Sequence, residues 1–515
     1  MACVQWVLTG VPTLRPELIP LVLTLTFNLM KKRYILPVIL GLMASTSCKK
    51  FLDEPALGYY SNEDLFANDA TARTAINAAY IPLTFSDAAA NPLWVLGDVA
   101  TDDVVIGGNA GEQADYTSVD LYNILPANAA VQALWARYYD GIGRCNIVTD
   151  GLAAENTGTS AEVRKLLLGE AKFLRAYYYF NLTNFYGNIP LRLNVTTQQN
   201  AAMPASTQAQ VYTQIEKDLT EAAAALPEKW TATNDAGRAT KGAALSLLAK
   251  ASLFQKKYTE AVNYANQVEA LGYALTDNFM DNFNASAKNN NEVIFSVWHI
   301  RNAQPLQGNS LNYWFAPRDL NGAGVFYPTQ NLVDNFEAND PRLDMTIART
   351  GKPYYDSEFK PAWSTTGYLS KKHIQPLSEV PTTTKNDGAL NYEAIRLADI
   401  LLVKAEALNE QNQSSAALVP LNKVRERARK NYSGTAPAGL LANITITNQA
   451  QLRTLIQRER RSELALEFQR FFDVMRYGQG YAEAALKPSA PNFNYTTNRF
   501  FPIPQNERNT NPAIN

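Results

Sequence analysis

The sequence predicts a mostly α-helical protein in which tetratricopeptide-like helix pairs carry long loop-rich stretches. Apolar residues recur at the spacing of a single helical face in several segments. In two of them small residues stand twelve positions apart, at Ala249 and Ala261 and at Ala405 and Ala417. Between the helical blocks run long stretches without that period, the second of them crowded with aromatic side chains.

The clearest helix is 162–182, EVRKLLLGEAKFLRAYYYFNL, with Val163, Leu166, Leu167, Leu174, Tyr177, Tyr178 and Leu182 on one face. Gly187 and Pro190 should end it. Within the tyrosine run, Tyr177 and Tyr178 belong to the apolar face and Tyr179 points elsewhere, so packing accounts for the run. Segments 241–254 and 397–408 are also helical. Small residues twelve apart let two antiparallel helices approach closely, the plan of a tetratricopeptide pair. The helical scaffold is expected over about 130–290 and 390–480. A loop-rich ligand face is expected over about 85–128 and 290–390.

Composition excludes several functions. With 47 Lys+Arg against 48 Asp+Glu in 515 residues, the chain has no general attraction for nucleic acid, and no nucleic-acid partner is expected. Three cysteines are too few for a disulfide framework, and two histidines, His299 and His373, cannot build a His-rich metal site. Cys145 reads as a buried thiol, and His299 as an ordinary loop residue with ligand contact as the alternative.

At the start, Met30-Lys31-Lys32-Arg33 and an apolar run precede small residues and Cys48. That is the layout of a secretory signal, too short to span a bilayer. Residues 1–47 are therefore expected to be a signal segment, with Met30 as the true start or, alternatively, a long leader. Thr46-Ser47-Cys48 resembles a lipobox, which makes Cys48 the expected lipid attachment point and 48–515 one domain. Acyl chains would hold that domain on a membrane.

Residues 295–368 contain thirteen aromatic side chains, too many for a disordered linker. Sugars present flat C–H faces and a rim of hydroxyls, so their sites pair aromatic platforms with polar side chains. Trp94, Trp298, Tyr313, Trp314 and Tyr327 are the candidate platforms, with Asn312 and Arg318 as hydroxyl partners. Asp98, Asp102 and Asp103 share the loop of Trp94. Turn and ligand hydrogen-bonding roles are favoured for them, Asp102 being the ligand candidate; a catalytic carboxylate pair and a Ca²⁺ site are the alternatives, and no cofactor is expected. Glu459, Glu463 and Glu467 stack on one helix face among arginines. A glycosidase needs two carboxyls flanking a cleft, so these three read instead as an ion-pair network docking the helix. No catalytic residue is expected.

Several of these pieces occur together in one known family. FLDEP after Cys48, EAKFLRAYYYFNLTNFYGNIPL (170–191), EVIFSV (292–297), DPRLD (340–344), YEAIRLADILLVKAEALNE (392–410), RERRSELALEFQRFFDVMRYG (458–478) and FPIPQNERNTNP (501–512) resemble the SusD/RagB surface lipoproteins of Bacteroidetes-type bacteria. Phe468 stands where that family commonly has glycine, and Tyr477 where tryptophan is frequent. The resemblance implies a SusD-like helical fold, tethered by lipid to the outer membrane and exposed at the cell surface. It further implies capture of a glycan, or less often a peptide, for delivery to a SusC-like TonB-dependent barrel. Two rival classes are a surface glycoside hydrolase using Asp102 or Asp103, and a scaffold that binds only protein.

Overall fold

Helix pairs supply the scaffold of the structure, a computed structural model that describes residues 62–514 apart from 110, 154–157 and 233–234. The expected signal segment and Cys48 lie outside the described residues. The main helices are α1 (Asp69–Tyr80), α2 (Ala129–Gly151), α3 (Ala161–Tyr186), α4 (Gln208–Ala225), α5 (Lys241–Phe254), α6 (Tyr258–Ala270), α7 (Leu397–Glu410), α8 (Ser414–Lys430), α9 (Gln449–Glu463) and α10 (Arg470–Arg476). Each start is marked chemically where the sequence allows. Asn68, Asn128, Thr240 and Asn448 accept backbone N–H groups at the N-termini of α1, α2, α5 and α9, and Thr207 with Gln210 forms a full capping box on α4.

Helix α3 runs four residues past its expected end and stops at Gly187, whose φ of +76° terminates it. Asn181 and Asn184 lie inside the helix and donate their side-chain amides to the carbonyls of Tyr177 and Phe180, at 2.8 and 2.6 Å. Tyr179 does not point away from the core. It is fully buried and its hydroxyl donates to the Arg192 carbonyl at 2.7 Å. The cause is that α3 packs against both α2 and α4, so apolar side chains are covered on more than one face.

Helices α5 and α6 form one hairpin and α7 and α8 another, each across a short turn. Ala249, Ala261, Leu253, Val403 and Ala407 meet in one buried cluster, which gives the twelve-residue spacing its physical meaning. Ala405 and Ala417 are equally buried.

The loop-rich stretches fold into short helices and two-stranded antiparallel pairs. Strand β1 (Val104–Ile106) pairs with β3 (Phe326–Pro328), and β2 (Val293–Val297) pairs with β4 (Tyr392–Arg396) in a register broken by bulges. Most aromatic residues of 295–368 are core. Phe315 and Phe326 stack with ring centroids 4.0 Å apart, and Phe336, Tyr354, Phe359 and Trp363 are buried. Segments too short for their own amphipathic helix close over the scaffold with large side chains.

Candidate ligand cleft

Strand β2 ends at Val297 and delivers Trp298, half-buried, to the wall of a cavity of about 610 Å³. An adjoining cavity of about 230 Å³ shares Gly237, Arg238, Phe295, Ser296 and Trp298 with it. Gly237, on the connection between α4 and α5, has φ +86°, and a Cβ there would lie 2.4 Å from Trp298 Cδ1. Only glycine both adopts that backbone and lets it approach the indole. Trp230 and Tyr273 add two further aromatic rings to the larger cavity, and Asn289, Asn291 and Lys288 add polar groups.

The polar floor is held from below. Glu170 of α3 is fully buried and accepts from the Tyr80 hydroxyl at 2.6 Å and from Arg238 Nη1 at 3.0 Å. Arg238 also donates to Asn77 Oδ1 at 2.7 Å and to Asp235 Oδ1 at 2.8 Å. Burial raises the pKa of Glu170, and the facing guanidinium opposes that rise. Arg238, Asn77 and Tyr80 are therefore fixed before any ligand arrives, which lowers the entropy cost of binding.

Of the six candidates named from sequence, Trp298 alone lines this cleft. Trp94 is fully buried, its indole N–H donating to the Ala88 carbonyl at 3.0 Å, with Tyr116, Trp314 and Phe315 packed around it at 5.2 to 5.7 Å. It offers no face to a sugar. Asp102 is buried in ion pairs with Arg461 and Arg470 at 3.0 and 2.9 Å, and Asp103 pairs with Arg461 at 2.6 Å. Arginine occupies the carboxylates expected to meet ligand. Asp98 is buried and accepts from the Phe468 N–H at 3.1 Å. Tyr327 is buried beneath Gly107, where a Cβ would lie 2.3 Å from its ring.

Tyr313, 38% exposed, and half-buried Trp314 make a second aromatic edge, with ring centroids 6.1 Å apart. The hydroxyl partners expected beside it are committed elsewhere. Asn312 is buried, accepting from the Gln375 N–H and donating to the Lys385 carbonyl, and Arg318 pairs with Glu112. His299 is buried, its Nε2 accepting from the Phe85 N–H at 2.9 Å, and burial pulls its pKa down to about 3. Cys145 is a buried thiol. Gly237, Arg238, Lys288, Trp230 and Tyr273 were not visible as site residues in the sequence. The glycine-arginine pair in the connection after α4 was the one local signal.

Glu459, Glu463 and Glu467 form the ion-pair network read from their spacing. Arg342 meets Glu459 and Glu463 at 2.6 and 2.9 Å, Arg396 meets Glu463 and Glu467 at 2.6 and 2.8 Å, and Lys372 meets Glu467 at 2.7 Å. Arg425 and Arg427 close the network on Glu459 and Glu463.

Helical hairpins of tetratricopeptide type, overlaid by loop-rich insertions, define the class of fold. Two family models match the chain: one described as the SusD family over residues 291–515, and one described as starch-binding, associating with the outer membrane, over residues 70–253. The two models together match most of the chain, which is a SusD-like protein. SusD-like protein P2 of Formosa agariphila is 27% identical over 509 residues, covering 93% of this chain and 98% of the relative. A laminarin-binding SusD-like protein of solved structure is 28% identical with a TM-score of 0.73, over 87% of this chain and 99% of its own. A SusD superfamily protein from Bacteroides vulgatus superposes with a TM-score of 0.74 at 23% identity, over 87% of this chain and 98% of its own.

Proposed function

We propose that this protein captures a glycan in the Trp298 cleft and passes it to a SusC-like TonB-dependent barrel, held at the outer membrane by a lipid on Cys48. The observation that carries this reading is a concave site joining a tryptophan face to a polar floor fixed by Glu170. Similarity to a laminarin-binding protein and to a family model described as starch-binding supports a saccharide ligand. Binding without bond cleavage fits the carboxylates that line the cleft. Asp235 is held by Arg238 at 2.8 Å, and Glu228, which pairs with Lys241 at 3.3 Å, is largely exposed, so the two do not form a pair of carboxyls flanking a bond inside the cleft.

The test has two arms. Chain extracted from outer membranes should co-purify with a barrel, and metabolic labelling with a fatty acid should mark wild type but not Cys48→Ala. Recovery of unlabelled wild-type chain, free of any barrel, would remove the transport reading.

A further inference from the structure

The charges of the cleft do not balance. Its larger cavity is lined by five charged side chains, Glu228, Lys229, Asp235, Arg238 and Lys288. Both carboxylates are already neutralised, Glu228 by Lys241 and Asp235 by Arg238, and Arg238 is further matched by Glu170. Lys229 and Lys288 have no carboxylate within ion-pair distance among the described residues. Lys288 is the informative one, because it is half-buried and its Nζ lies over the Trp298 ring, 5.8 Å from its centre, a cation-π contact that brings no negative charge. It spends one N–H on the His299 carbonyl, at 2.7 Å, which leaves two donors. The carboxyl that acts on it belongs to Glu393, which is buried on β4; burial and Glu467 push its pKa up, and Arg396 and Lys288 oppose that rise.

Resting on the glycan reading above, we propose that the cleft selects a saccharide bearing an anionic substituent, its ring stacked on Trp298 and its charge paired with Lys288. A neutral sugar would further dehydrate an ammonium that has no carboxylate within ion-pair distance among the described residues, whereas an anionic sugar would bring a carboxylate or sulfate ester to it. A charge pair closed off from water in a cleft is also stronger than the same pair on an open surface. Uronates and sulfated sugars share this chemistry, since both carry the charge at the edge of a ring whose C–H face remains free to stack.

The experiment is calorimetric titration of the full chain with laminarihexaose, hexagalacturonate and a κ-carrageenan hexasaccharide. At least one anionic chain should bind about tenfold more tightly than laminarihexaose, and raising salt from about 0.05 to about 0.5 M should erode the difference. Which anionic chain binds separates carboxylate from sulfate. The preference should collapse in Lys288→Gln and persist in Lys288→Arg. Laminarihexaose binding as well as the anionic chains overturns the charge inference, as does a preference that survives Lys288→Gln. If that neutral binding still requires Trp298, the glycan reading stands. Failure of all three to bind overturns both.

Discussion

Phe468 occupies the left-handed region, with φ +64°, where a side chain costs about 1 kcal/mol or more. Its ring stacks on His373 at 4.7 Å and on Tyr392 at 5.3 Å, both with interplanar angles of 20°. Its backbone packs on Gly97, where a Cβ would lie 2.6 Å from the Phe468 carbonyl oxygen. Large-to-small substitution of a buried phenylalanine costs about 3–5 kcal/mol, more than the strain that glycine would relieve. Phe468→Gly should therefore destabilise the protein by about 2–4 kcal/mol in urea unfolding, despite restoring the residue usual for the backbone conformation. A more stable variant would show that strain outweighs packing here.

Helix α9 shows what one element does for the whole. Its Glu459 and Glu463, with Glu467 just beyond, gather cations from four other parts of the chain, at Arg342, Lys372, Arg396 and Arg425 to Arg427. Removing one partner leaves buried charge uncompensated, so Glu463→Gln should cost about 3–5 kcal/mol in the same unfolding measurement. Loss of under 1 kcal/mol would contradict that account.

The same helix sets the response to acid. Burial alone would raise the carboxyl of Glu463, but Arg427, Arg396 and Arg342 hold it well below the usual carboxylate range. Lys250 and Arg460 do the same for Asp399 against its burial. Because the folded pKa lies below the unfolded value of about 4, this stabilisation is complete above that pH and is lost as pH falls toward the folded value. Urea midpoints should drop between about pH 5 and pH 3, with a shallower drop in Glu463→Gln. A steeper drop in the variant would reverse the sign argued here.

At the scale of the molecule, the helical scaffold was legible because its signals are local. The apolar face of 162–182, the alanines twelve apart and the glutamates four apart each specify contacts through periodicity alone. The cleft was less legible because it is assembled from distant segments. Arg238, Tyr273, Lys288 and Trp298 meet only after the helices pack, and their floor, Glu170, lies on α3. Nor could sequence separate Trp94 from Trp298, since both stand in non-periodic stretches. One became core and the other kept a face, according to how the loops closed.

The central claim is that the face left on Trp298 binds the ligand, and the most direct measurement is the affinity of Trp298→Ala for the oligosaccharide that wild type binds best. Loss of stacking should weaken binding about tenfold or more, while the unfolding midpoint moves little because the residue is only half-buried. Unchanged affinity in a folded Trp298→Ala variant would contradict the claim.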